Sequence, residues 1–155
     1  MNEITAKKVG EALAFSRFMH GLILDSNDVL TTLFSSDQID ALTLRITKHL
    51  EGFTHFYESH NKLSLLEMGE KKVDSDVSRL KEIYLTEDKN SDNVFDFFVL
   101  ISGMSLAKWN IVKAIIESLE EDKMLDLAYD SIALHESLYD NVVSKLADIA
   151  RGQVA

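Results

Sequence analysis

The chain contains no cysteine and no proline among its 155 residues, and each absence excludes something. Without cysteine there are no disulfides, no thiolate-ligated zinc, no iron–sulfur cluster and no cysteine nucleophile. Without proline the chain lacks the residue that ordinarily punctuates turns and strand edges, so long uninterrupted helices are the simplest reading. Positive charge is scarce too: 16 Lys and Arg stand against 26 Asp and Glu, a net charge of −10. Such a field repels phosphate backbones, and nucleic acid is not an expected partner. Glu3 and Glu11 interrupt any signal-peptide core near the N-terminus. No apolar run approaches the roughly 18 residues that span a bilayer, so a cytoplasmic protein without a membrane partner is expected.

The residues present suit one soluble globular domain over residues 1–155: 46% are hydrophobic and 27% charged, enough of both for one core and a solvated surface. Apolar residues recur at helical spacing in Ile39, Leu42, Ile46, Leu50, Phe53 and Tyr57. They do so again in Leu125, Ala128, Ile132, His135, Tyr139, Val142, Leu146 and Ile149. Nothing alternates as a strand would. The pattern predicts an all-α fold, a four-helix bundle with helices over 4–33, 37–68, 92–120 and 122–151.

The first helix is expected to break at Asp25-Ser26-Asn27-Asp28, whose short side chains compete for backbone hydrogen bonds. Ser35 to Gln38 has the spacing of a capping box, and Gly69 reads as a stop for the second helix. A long polar connection then holds a short amphipathic helix around Val77, Leu80, Ile83 and Tyr84, and ends in a charged loop from Thr86 to Asn93. Glu120, Glu121 and Asp122 read as an acidic hinge at the positive end of the last helix's dipole.

Short, long and short connections among four helices resemble the ferritin-like superfamily, which implies two antiparallel hairpins joined by a crossover. Di-iron members of that group carry a glutamate on the first and third helices and a Glu-x-x-His pair on the second and fourth. None of the five histidines here follows a glutamate by three residues. The nearest substitutes are Glu51, His55 and Glu58 on the second helix and His135 with Glu136 on the fourth. A second resemblance, to hemerythrin-like bundles, rests on His135 with Asp140 and His20 with Asp25. The His-x-x-x-His pair of those proteins is missing. A third, to globin-like sensor domains, rests on Phe56-Tyr57, Arg79-Leu80-Lys81 and Trp109, with no histidine between His60 and His135 to ligate haem.

Gly21, Gly52 and Gly103 fall near helix midpoints, where glycine costs about 1 kcal/mol relative to alanine. Antiparallel helices of similar length bring midpoints to one level. His20, Glu51, His55, Glu58, His135 and Glu136 are therefore the candidate ligands of a mid-bundle site for iron, manganese or zinc. The competing reading is that the glycines permit close crossings and the histidines are ordinary core or boundary residues. A third is a small-ligand pocket gated by the long connection. His49 and His60 lie on or beside an apolar stripe and are assigned no role. No serine sits in a glycine elbow and no phosphate-binding glycine loop occurs, so no catalytic residue is assigned.

The third helix carries a different signal. Between Val94 and Leu119 its charged residues are Asp96, Lys108, Lys113 and Glu117, and apolar side chains surround it nearly completely. Such a helix needs extra cover, from the short helix or from a second copy in a two-fold dimer. The expectation is a non-catalytic interaction or sensory module that homodimerises through this helix, with a non-standard metal-binding ferritin-like protein as the alternative.

Overall fold

A computed structural model describes residues 3–85, 91–119 and 122–154, and among these the chain is all helical with no strand. The helices are α1 (Glu3–Asp25), α2 (Asn27–Leu30), α3 (Ser36–Ser59), α4 (Leu63–Tyr84), α5 (Ser91–Glu117) and α6 (Asp122–Val154). α1 stops where the Asp-Ser-Asn-Asp cluster predicts. α3 opens on a complete capping box: Ser35 Oγ accepts from the Gln38 N–H at 3.2 Å, and Gln38 Oε1 accepts from the Ser35 N–H at 2.8 Å. A cap of this kind stabilises a helix by about 1 kcal/mol.

The second helix is shorter than its apolar spacing predicts. α3 ends at Ser59, where neither glycine nor proline marks the turn; Asn61 instead takes the left-handed conformation, φ 55°, and the Lys62 N–H closes back on the Tyr57 carbonyl at 2.9 Å. Asparagine is among the few residues with a side chain that tolerate this region. Beyond the turn, α4 is a full helix of 22 residues rather than a short one within a loop. Gly69 lies inside α4 and stops nothing. Residues 86–90 of the expected charged loop, and Glu120 and Glu121 of the expected hinge, lie outside the described residues. α5 begins at Ser91, and α6 begins with Asp122 in its first turn.

Contacts fix the helix directions. α1 and α4 run parallel, since Gly10 meets Leu66 while Leu22 and Asp25 face Lys81. α5 runs against α1, pairing Lys108 with Glu11 and Phe97 with Phe18. α3 also runs against α1, with Thr47 near His20 and Thr54 near Arg17. α6 runs against both α5 and α3, placing Tyr139 over Gly103 and Leu127 over Gly52. α1 therefore touches three long neighbours, and α4 lies chiefly on its outer side.

The seam between α1 and α4 is unusually close. A Cβ on Gly10 would stand 2.0 Å from the Leu66 carbonyl oxygen, and one on Gly69 would stand 2.0 Å from that of Lys7. Only glycine lets two helix backbones meet this way. On its other side α1 packs into two apolar clusters. One gathers Phe15, Met19, Ile46, Phe97, Phe98 and Leu138, and the other Leu13, Phe53, Tyr57, Trp109, Ile116 and Met124. Phe53 and Trp109 lie 5.2 Å apart, ring centre to ring centre, within the range where aromatic pairs add to area burial.

Candidate functional site

Between the two apolar clusters runs a level of buried polar side chains: Ser16 on α1, His49 on α3, Ser102 and Ser105 on α5, and Ser131 and His135 on α6. Amphipathic periodicity puts all of them on core-facing positions, where hydrogen bonds must replace water. Ser16 Oγ accepts the Trp109 indole N–H at 3.0 Å and lies 3.1 Å from His135 Nε2. Ser16 Oγ has its proton and a second lone pair left for that nitrogen, so the pair is hydrogen-bonded in either imidazole tautomer. His135 Nδ1 is buried with no partner, as are His49 Nδ1 and the hydroxyls of Ser102, Ser105 and Tyr57. Burial pushes the His135 imidazole down to about 3, and the nearby positive charges of His49 and Arg45 add to that effect. It is neutral at physiological pH.

At the edge of this level His49 Nε2 donates to Asp130 Oδ2, and Arg45 donates to Asp130 Oδ1 at 2.8 Å. Burial lowers the His49 pKa, partly opposed by the Asp130 charge. Asp130 itself is held below its ordinary value: burial would raise it, but Arg45 and His49 outweigh burial. The carboxylate–imidazole pair and the imidazole–hydroxyl pair thus reside on different histidines. A nucleophilic triad needs both on one ring, so Ser16 is not activated. The serine and histidine are packing partners of Trp109, buried beyond the reach of a substrate.

A second polar group joins α1, α4 and α5. Glu11, 2% exposed, is contacted by Lys108 at 2.6 Å, Lys72 at 2.9 Å and Lys8 at 3.3 Å. Burial alone would raise this carboxyl, and the three ammonium groups reverse that, holding it at about 2. The lysine stems lie along the helices while their heads stay partly in water, so the charge is matched without stranding a cation.

The six sequence-predicted ligands do not meet at one level. His135 is in the core, while Glu136 on the same helix is exposed. His20 is half buried, 3.4 Å from Thr47 Oγ1. Glu51, His55 and Glu58 line one shallow depression at the α1–α3 edge, which they share with Arg17. Among the described residues no group of three or more His, Asp or Glu side chains is placed to hold a metal ion. The donor set of the buried level, two imidazoles with hydroxyls and one carboxylate already engaged by Arg45, does not fit a pair of irons. Of the three midpoint glycines, Gly52 sits under Leu127, a Cβ on Gly103 would lie 3.7 Å from the Tyr139 ring, and Gly21 faces open space.

Sequence reasoning passes over Ser16, Glu11 and His49. A lone acid among Val9, Gly10, Ala12 and Leu13 signals a buried carboxylate needing cations. His49, assigned no role, bridges α3 to Asp130 of α6. His60 is exposed, stacked on Phe56 with ring centres 4.4 Å apart, and Nδ1 donates to the Phe56 carbonyl at 2.8 Å. Compared with known protein families, with curated proteins and with solved structures, the chain matches none.

Proposed function

We propose that this protein is a non-catalytic interaction module that self-associates as a two-fold dimer through the outer face of α5. Its frame is read as a ferritin-like bundle of α1, α3, α5 and α6, with α4 as a helical crossover. Two features support that frame: α1–α3, α3–α6, α6–α5 and α5–α1 are each antiparallel neighbours, and the long connection between α3 and α5 travels the length of the bundle. The buried level that carries metal in such folds is here occupied by a hydrogen-bonded Ser16–Trp109–His135 cluster.

One observation carries the functional reading. Within Asn93–Glu117 the most apolar window has a mean hydropathy of 1.4, yet only about 33% of that window is buried within the chain. By length and composition it is apolar enough to cross a membrane, contrary to the expectation that no such run exists. Its polar residues, however, serve the fold: Lys108 pairs with Glu11, Trp109 bonds Ser16, and Ser102 and Ser105 are buried.

Its outer side presents Ala107, Ile111 and Ala114, at intervals of four and three and all exposed, beside the exposed Asn110. No charge lies within this stripe, and the Lys113–Glu117 pair that borders it at Tyr129 is already matched, so two copies meet without stranding a lone charge, despite a net charge of −10 on each. A 27-residue helix is about 40 Å long, and a strip about 10 Å wide gives about 400 Å² per copy. A stable interface buries about 800 Å² per partner. Tyr129 and Val143 of the adjacent α6, 47% and 37% exposed, extend the apolar surface.

Sedimentation velocity at micromolar concentration tests this. The expected result is a dimer that becomes a monomer on Ala107→Glu with Ile111→Glu, while the far-ultraviolet circular dichroism stays unchanged. A wild-type monomer, or a dimer indifferent to both substitutions, overturns it. So does wild-type monomer that floats with phosphatidylcholine vesicles, an outcome that assigns the face to lipid.

A further inference from the structure

Gly10, Gly52, Gly69 and Gly103 each lie inside a long helix with a neighbour over the place a Cβ would occupy, whereas a Cβ on Gly21 would meet nothing within 4 Å. A mid-helix glycine costs about 1 kcal/mol relative to alanine, and close packing does not explain it at position 21. Over Gly21 lies a pocket of about 290 Å³ between α1 and α4. That is the small end of the range for ligand sites, roughly 300–1,000 Å³. Ala14, Phe18 and Leu22 line its apolar part, and the charged residues around it are Arg17, Asp25, Asp74 and Lys81.

Those charges are set in a particular way. Arg17 is aimed by a two-pronged ion pair with Glu70, at 3.1 Å to each carboxylate oxygen, which leaves other guanidinium donors free. Asp25, Asp74 and Lys81 take part in no ion pair or side-chain hydrogen bond among the described residues. Groups of both signs line one small pocket, and these three leave one another unpaired. All three are exposed to water, and a ligand carrying both signs can replace that water at all of them together. Elsewhere on the same two helices unlike charges do pair, as Glu11 does with Lys72.

We propose that the α1–α4 pocket binds a free amino acid with an apolar side chain. The carboxylate is taken by Arg17 and Lys81, the ammonium by Asp25 and Asp74, and the side chain rests on Phe18 and Leu22 in the space that Gly21 leaves open. No lining residue belongs to α5, so this site is independent of the proposed dimer face.

The test titrates L-leucine and L-phenylalanine to about 10 mM into the full chain, following the melting temperature and calorimetric heat. At least one should bind saturably, and its N-acetyl and amide derivatives should each bind about tenfold more weakly or worse, having lost one charge. Gly21→Leu, which fills the pocket without striking a neighbour, should abolish binding while the melting temperature holds or rises. Lys81→Met and Asp74→Asn should each weaken binding by about tenfold. No heat and no thermal shift with either amino acid overturns the proposal. Binding that survives Gly21→Leu, or that ignores the blocking of both charged groups, overturns it equally.

Discussion

The two sides of α1 solve the burial of polar groups in opposite ways. Toward α4 the backbones touch at Gly10 and Gly69, and Glu11, the one buried carboxylate among the described residues, is surrounded at the α4 and α5 edges by more cations than it needs. Toward α5 and α6 the polar groups are neutral and undersupplied: Ser16 serves Trp109 and His135, while His135 Nδ1 and the hydroxyls of Ser102 and Ser105 have no partner. The charged cluster lies near the edge, where lysine heads reach water. The neutral one lies deep, where an ion would cost several kcal/mol. Depth, more than residue type, decides which kind of polar group a bundle of this size tolerates.

The sharpest way to break this comparison is Gly69→Ala. Alanine is the better helix former, yet its Cβ would stand 2.0 Å from the Lys7 carbonyl oxygen, so α1 and α4 must part. A loss of about 3 kcal/mol is expected, read as a fall in the urea midpoint. An unchanged or raised midpoint would show that the seam is loose.

Glu11→Gln comes next, with an expected cost of about 2 kcal/mol at pH 7, because three ammonium groups lose the charge that gathers them. The pH dependence separates the two sides. Glu11 titrates at about 2 in the fold against an ordinary 4.5, so its contribution is complete above about pH 4.5 and is lost as the pH falls toward 2. His135 is held at about 3 against 6.5. The unfolded chain therefore takes up that proton first, and stability begins to fall below about pH 6.5. In a series of urea melts, Glu11→Gln should flatten the decline below pH 4.5 and leave the one between 6.5 and 4.5 in place. Loss of the upper slope would refute the assignment.

Smaller effects distinguish the neutral residues among themselves. Ser16→Ala strands the indole N–H and the His135 Nε2 in the core and should cost about 1–3 kcal/mol. Ser105→Ala removes a hydroxyl that has no partner and should change stability by less than about 0.5 kcal/mol, or improve it. Equal effects of the two in thermal melts would mean that the Ser16 hydrogen bonds do not matter.

Much of the frame is legible in the sequence. The absence of proline and the helical spacing of apolar residues point to an all-α chain, and Ser35 with Gln38 marks the start of α3 because capping chemistry is local. The end of α3 is hidden because the turn uses Asn61, whose left-handed conformation leaves no glycine to see. Gly69 misleads for the complementary reason: a glycine that permits a helix crossing looks, in one dimension, like one that ends a helix. A polar level is expected between helix midpoints, but its members differ. Periodicity marks His49 and Ser16 as core-facing, but the side chains they meet there depend on which helices pair, and that is non-local information. The same holds for Glu11, whose three lysines come from positions 8, 72 and 108.

The Asn61 reversal has a consequence for the molecule as a part in something larger. By turning the crossover into a fifth long rod, it makes the number of traverses odd, so Glu3 and Arg151 are carried to opposite poles. Ser16 stands level with His135, and from there 13 residues lead back to Glu3 and 16 lead on to Arg151, an axial separation of about 40 Å. Fluorophores at Ile4 and Arg151 should report a spacing of that order, and anything fused to the two poles would be held apart by a stiff strut.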